Sequence, residues 1–574
     1  MSGPSRVSPR RVCASVGVLA SAVLLYTVVE QVVDHNFQVL WEVTNIFAGD
    51  RPYRDFFVTG WPLETALSAA VQWLVGYRLI GEYLTHWIFL VAAVVMGFHL
   101  ALRLSRSMAA SLAVVPVTLL SLPPTATVHF PKLFFYPLAV LVLWRYLEHP
   151  RPRVAALAGA VTAIAFLFRH DHGVYLGVAF VAAFALARAA VPSSRRLPAM
   201  VGEASAYAAA AGMLLLPWAA LVHLNEGLPD FVRTRAEWGA VWAPPPGSPF
   251  DVLREIDPRR VVQGIGPASW RPDASDALVW LVQVTLLLPM LVLASVAADL
   301  LRRRHGPRLT PHACATMLTA GLSLFVMSRL GREESYYVVV LPLSMALGAR
   351  LLAGGASGLA AAGREVPVTR TTRGWRIART AVAVGVLGIT TLAALGRIDP
   401  DFFSPNQPDE VRLTYRLLLS SPPIDAYQPA AEAHEMDWAA WQESNADARQ
   451  KLMMRYMHDC TRDGDRLLVT GSTPYHVGYF VERPLAGGQM QWHHRWRASP
   501  PDELQAFALI ERHPVPFAFS THDPVLDDFT AYPRIHAYLQ EHYVHVEGAH
   551  GLLLVDKRRQ PTGRFGSLGW PCFR

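Results

Sequence analysis

The chain has 574 residues, 52% of them hydrophobic and only 17% charged, against roughly 25% charged in ordinary globular proteins. With a mean hydropathy of +0.24, this composition excludes an intrinsically disordered chain and argues against a nucleic-acid binder, despite a net charge of +7. Lys132, Lys451 and Lys557 are the only lysines among 52 basic residues. So strong an arginine bias, in an alanine-rich chain, points to a GC-rich bacterial genome. Cys13, Cys314, Cys460 and Cys572 form no CxxC pair, which excludes a disulfide scaffold and a cysteine zinc site.

A helix crosses the hydrocarbon core in about 20 mostly apolar residues. The first such window, Val12–Val33, follows Arg6, Arg10 and Arg11. It has the basic start of a signal peptide, but it is long, lacks a clear small-x-small cleavage site and is followed by further spans, so it reads as a retained anchor. Further windows follow at Tyr83–Leu102, Ala109–Thr127, Leu133–Leu147, Val154–Phe168, Val174–Val191, Ala204–His223, Ala277–Leu301, His312–Ser328, Tyr336–Leu352 and Ile377–Leu395. The expectation is an α-helical polytopic membrane protein with about 11 transmembrane helices.

With the N-terminus cytoplasmic, the inside loops hold Arg103 and Arg106, then Arg145, Arg151 and Arg153, then Arg195 and Arg196. Later inside loops hold Arg302, Arg303, Arg304 and Arg308, then Arg364, Arg370, Arg373 and Arg376. Every inside loop is basic, as the positive-inside rule requires. The odd span count leaves the tail outside. Residues 1–395 thus read as a membrane domain and 396–574 as an extracytoplasmic α/β domain. Short apolar runs at Arg466–Thr470, Pro516–Ser520 and Gly551–Val555 suit strands, and Asp437–His458 and Asp502–Arg512 suit helices. Cys460 and Cys572 lie in this oxidising setting, either paired or as two buried thiols. No GxGxxG, P-loop, HExxH or GxSxG motif is present.

Ionisable residues gather at the outer membrane face in four places. Asp34 and His35 follow span one and lead into the loop Phe47–Phe57, which holds Asp50 and Asp55. His129 and Lys132 follow. Arg169, His170, Asp171 and His172 come after span five, and Arg329, Arg332, Glu333 and Glu334 after span nine. Placing acids and bases at a bilayer surface is costly and marks a functional site, although interfacial anchors also carry arginine there. His170 and His172 flank Asp171, but i, i+2 spacing does not put two helix side chains on one face. Tyr53, Phe56, Phe57 and Trp61 read as an interfacial aromatic belt.

Asp34, then Gly49-Asp50-Arg51-Pro52-Tyr53-Arg54-Asp55-Phe56-Phe57 and Trp61-Pro62, resembles the first outer loop of GT-C glycosyltransferases. The nearest pattern is the bacterial protein-mannosyltransferase and lipopolysaccharide-core-glycosyltransferase-like group. The stretches Phe168–Tyr175 and Leu330–Ser335 fit as well. His35 stands where many members have a second acid, and Gly60-Trp61-Pro62 replaces Gly-Pro.

The resemblance implies a GT-C-like fold over roughly residues 12–395 in the bacterial cytoplasmic membrane. It implies inverting transfer of a hexosyl or pentosyl unit from a polyprenyl-phosphate donor to a lipid, glycan or protein acceptor outside. Asp34 is then the general base. Asp55, Lys132, Arg169, Asp171, Arg329, Arg332 and Glu333 bind substrate, the cations meeting the phosphate. No cofactor is required, a divalent cation being left open, and the partners are the donor, the acceptor and membrane lipids, with no nucleic acid. The alternative is a transporter or flippase for a lipid-linked glycan, whose polar residues belong near mid-bilayer.

Overall fold

The computed structural model describes residues 8–27, 34–58, 60–122, 130–189, 196–242, 287–298, 310–330, 339–360, 418–426, 430–437, 446–470, 474–489, 497–520, 524–549 and 551–574, with a few single positions between them. The chain divides into two compact units. Unit 1 takes in residues 1–31, 86–216 and 243–407, and unit 2 takes in residues 32–85, 217–242 and 408–574.

The helices, in chain order, are α1 (Pro9–Thr27), α2 (Asp34–Phe47), α3 (Pro62–Val75), α4 (Leu79–Ser105), α5 (Met108–Ser121), α6 (Phe130–Glu148), α7 (Pro152–Phe168), α8 (His170–Ala189), α9 (Arg196–Asn225) and α10 (Leu228–Trp242). They continue with α11 (Leu287–Ala298), α12 (Pro311–Leu330) and α13 (Leu341–Ala360). Among the described residues, four segments are long and apolar enough to cross a membrane: Leu79–Ser105, His170–Ala187, Pro198–Asn225 and Pro311–Arg329. Arg11–Leu24, Met108–Leu119, Pro152–Phe168, Leu287–Ala298 and Leu341–Gly354 are shorter apolar helices. The last window, Ile377–Leu395, lies almost wholly outside the described residues. On α9, Met213, Leu216 and Leu224 stand at least two-thirds exposed. Such a surface fits lipid rather than water, and the chain is an integral membrane protein.

Within unit 1, small residues let helices approach. A Cβ at Gly159 would overlap the Tyr207 carbonyl oxygen, and one at Gly97 would come within 3.1 Å of Pro342. Ser107 caps α5 by accepting from the Ala110 N–H at 3.3 Å. The buried Glu203 carboxylate accepts the Tyr146 hydroxyl, which satisfies one intramembrane acid.

Unit 2 adds α14 (Ala430–Glu435), α15 (Ala446–Asp459), β1 (Leu467–Thr470), α16 (Pro474–Val481), α17 (Pro500–Arg512), β2 (Phe517–Ser520), α18 (Val525–Asp528), α19 (Pro533–His542), β3 (Tyr543–His545), β4 (Leu553–Asp556), β5 (Gly563–Phe565) and β6 (Trp570–Cys572). The first four strands form a sheet in the order β1-β2-β4-β3. β1 runs parallel to β2, with Leu468 opposite Ala518, and β4 is antiparallel to β2 and β3. β1, β2 and β4 are buried at every position, as strands covered on both faces are. They fall on the three short apolar runs of the tail.

The core holds Leu468, Ile510, Ala518, Phe529, Tyr532 and Leu554. Glu503, buried in the first turn of α17, accepts from the Arg534 and Ile535 N–H groups at 2.6 and 3.2 Å. It thereby satisfies donors that α19 leaves open at its own start. Cys460 and Cys572 are joined in a disulfide, with a Cα–Cα separation of 4.4 Å.

α2 belongs to this unit and packs on α16. Phe37 meets His476 at 4.4 Å and Phe480 at 5.3 Å between ring centroids. Gly478 makes room for Trp41, which a Cβ there would meet at 3.2 Å.

Candidate active site

In unit 1, polar side chains collect where α7 ends and α8 begins. α7 stops at Arg169, whose backbone turns extended at φ −165° and ψ 124°, and α8 restarts at once. The guanidinium thereby reaches Asp171, with Nε 2.8 and 3.0 Å from the two carboxylate oxygens. Asp171 also accepts the His172 N–H at 2.9 Å. His172 is 2% exposed, and its Nδ1 meets the Tyr136 hydroxyl of α6. Lys132, at the start of α6, is 4% exposed, and with Arg169 and His172 it bears electrostatically on Asp171.

A run of rings extends the cluster to α12. Tyr136 meets His172, His172 meets Tyr175 at 5.6 Å, and Tyr175 meets Phe325 at 5.6 Å. The exposed Arg329 guanidinium lies 5.6 Å from the Phe325 centroid. Four expected residues, Lys132, Arg169, Asp171 and Arg329, thus sit at the same ends of packed helices.

Asp171 is held by a guanidinium, His172 is engaged by Tyr136, and among the described residues no three His, Cys, Asp or Glu side chains gather to hold a metal.

In unit 2, α2 ends at Phe47 and is followed by Gly49, whose φ of 90° is open to glycine. The turn points Asp50 at Arg466, and two hydrogen bonds of 2.6 and 2.7 Å join them. Both side chains are under 10% exposed. Asp55 accepts the Arg51 N–H at 3.0 Å, both arms of Arg54 at 3.0 and 2.8 Å, and Arg512 at 3.3 Å. Burial pushes its pKa up, but these donors prevail and hold it below the ordinary carboxylate range. The Phe57 N–H donates to the Gly488 carbonyl at 2.9 Å. Gly488 has φ 66°, and a Cβ there would press on the Asp55 carbonyl.

Tyr53, Phe56 and Phe57 are 4%, 3% and 3% exposed. The expected aromatic belt is therefore part of a protein core. Contacts from α10 and the tail cover these rings, and a linear reading of the loop cannot show them.

A cleft of about 310 Å³ borders this loop. Tyr53, Phe57, Glu226, Arg233, Arg497 and Asp502 line it. Tyr53 and Arg497 take positive φ values of 68° and 48°, which is strained backbone in non-glycine residues. Arg235 stacks on Phe57 at 3.8 Å and on Phe231 at 4.5 Å, and it pairs with Glu226 at 3.7 Å. Burial pushes Arg235 down to about 10 and pushes the Glu226 carboxyl up.

The sequence reading missed Glu226, Arg233, Arg235, Arg497 and Asp502. Glu226 did carry a signal: it is an acid just after a span, as Asp34 is. The arginines carried none, since a pair such as Arg233 with Asp502 joins remote parts of the chain.

Asp34 opens α2, but its side chain lies outside the described residues, as do Arg332 and Glu333.

No protein-family model and no curated protein sequence matches the chain. Solved structures similar to it at low identity include the following two. One is ArnT from Cupriavidus metallidurans in the apo state, at 14% identity and a TM-score of 0.47, covering 96% of this chain and 98% of that one. The other is the Archaeoglobus fulgidus oligosaccharyltransferase tethered with an acceptor peptide, at 10% identity and a TM-score of 0.39, covering 93% of this chain and 72% of that one.

Proposed function

We propose that the chain is a GT-C-type membrane glycosyltransferase. It moves a sugar from a polyprenyl-phosphate carrier to a cell-envelope acceptor on the outer side of the bacterial cytoplasmic membrane. The observation that carries this reading is the cluster of Lys132, Arg169, Asp171 and Arg329 at one end of apolar helices. Ionisable groups at such a place are expensive and mark function. Cations suit the phosphate of a lipid carrier whose tail lies among the helices.

In the reaction, the acceptor hydroxyl oxygen bonds to the anomeric carbon as the bond from that carbon to the phosphate oxygen breaks. The electron pair leaves with the carrier phosphate, whose charge Arg169, Lys132 and Arg332 stabilise. The hydroxyl proton passes to Asp34. A single displacement inverts the anomeric centre. Asp171 orients Arg169, Asp55 orders the first loop, and Glu333 contacts the sugar. Residues 1–395 carry the chemistry, and the tail from 396 lies outside the membrane. The Cys460–Cys572 bond supports that location, because disulfides persist in oxidising compartments.

Asp34→Asn keeps size and hydrogen bonding but cannot take the proton. Membranes carrying it should transfer labelled sugar from polyprenyl phosphate roughly 10²–10⁴-fold more slowly at unchanged protein level. Normal transfer would end this mechanism.

A further inference from the structure

Unit 1 holds a cavity of about 730 Å³ at the helix ends away from Asp171. α6 carries Lys132 at its start and Trp144 and Glu148 towards its end, and α12 carries His312 at its start and Arg329 near its end. At 1.5 Å per residue, the stretch from His312 to Arg329 spans about 25 Å, close to the roughly 30 Å hydrocarbon core. The cavity therefore belongs to the opposite membrane face, where the first basic loop, Arg103 and Arg106, also lies.

Among the described residues, three guanidiniums, Arg103, Arg106 and Arg350, line it with His312, against one carboxylate, Glu148. Arg103 holds Glu148 at 2.6 Å and lies 4.4 Å over the Trp144 ring. Arg350 Nη1 is 2.6 Å from His312 Nε2. A guanidinium only donates, so Nε2 accepts and the imidazole proton sits on Nδ1. That Nδ1 is buried without a hydrogen-bond partner among the described residues. The lining thus has an excess of positive charge and a donor lacking an acceptor. Arg106 has φ 55°, a strained conformation of the kind held at ligand sites. The remaining wall includes Leu102, Leu104 and Leu351.

We propose that this cavity binds an anionic phosphate group carried by the headgroup of a membrane lipid. Basic pockets between transmembrane helices on the cytoplasmic side suit such headgroups. The volume far exceeds a free phosphate ion, and the leucines offer apolar contact beside the charges. This binding does not depend on the transfer chemistry at the other helix ends.

The test uses the full chain in detergent micelles. Native mass spectrometry would count retained phosphatidic acid against phosphatidylcholine, with and without inorganic phosphate as competitor. Retention of phosphatidic acid should exceed that of phosphatidylcholine and fall about tenfold in Arg350→Gln, the loss expected for a charge-assisted hydrogen bond. Arg153→Gln, an exposed arginine at the start of α7, should leave it unchanged. Circular dichroism and size exclusion would establish that each variant is folded. Equal retention of the two lipids, or indifference to Arg350→Gln, would overturn the proposal. Arg350-dependent binding of inorganic phosphate without lipid retention would overturn the lipid source.

Discussion

The ionic contacts of the two units differ in reach. In unit 1, Arg169 and Asp171 are two positions apart, with side chains 20% and 31% exposed. In unit 2, Asp50 and Arg466 are 416 positions apart and 7% and 9% exposed, and Asp55 and Arg512 are 457 positions apart. A helix in lipid satisfies its backbone within itself, so its rare charges find partners on the adjoining turn or the next helix. A sheet-based unit is assembled from remote segments, and charge pairs can pin those segments together. Removing one partner of the fully buried pair should therefore damage the fold, whereas removing one partner of the half-open pair should damage it less.

Four measurements would break or sharpen this contrast. The largest effect is all-or-none: reporters fused after Arg304 and after Arg574 should report opposite sides of the membrane, and equal signals would remove the basis for treating the units as differently solvated. Next, Arg466→Met leaves the Asp50 carboxylate buried without its fork. It should cost about 3–5 kcal/mol in unit 2 unfolding, while Arg169→Met, beside a partly exposed acid, should cost about 1 kcal/mol or less. Equal losses in the two variants would erase the distinction.

Third, Cys460→Ser with Cys572→Ser opens a link between residues 112 positions apart and should lower stability by about 2–4 kcal/mol. The reducing agent should produce the same change in the parent protein and none in the variant. The smallest effect concerns His458, whose Nδ1 is 2.8 Å from Asp459 and whose Nε2 is 3.9 Å from Glu482. Burial lowers its pKa, but the two carboxylates prevail and raise it above the ordinary histidine value. A raised native pKa stabilises the fold fully below about pH 6.5, and that contribution is lost as pH rises through the raised native value. His458→Gln should flatten this slope in pH-dependent unfolding, and an unchanged slope would assign the interaction no net energy.

Much of the architecture was legible in the residues. Long apolar windows located the helices Leu79–Ser105 and Pro311–Arg329, because a bilayer demands length and low charge. Runs of four or five apolar residues located β1, β2 and β4, because a doubly covered strand is apolar throughout. Lys132, Arg169, Asp171 and Arg329 were legible as charges at the ends of such windows. The cleft was not, since Arg497 and Glu226 acquire meaning only when α9, α10 and the first loop meet the tail.

Local pattern and solvent preference thus specify which segments are helices in lipid, which are strands, and where charge interrupts them. These properties depend on neighbours a few positions away and are written in the chain. Tertiary contact alone made Tyr53, Phe56 and Phe57 a core rather than a belt, joined Asp50 to Arg466, and gave Arg235 the Phe57 ring to stack on. The physical reason is that burial and pairing belong to the space around a side chain, and in unit 2 that space is filled by residues hundreds of positions away.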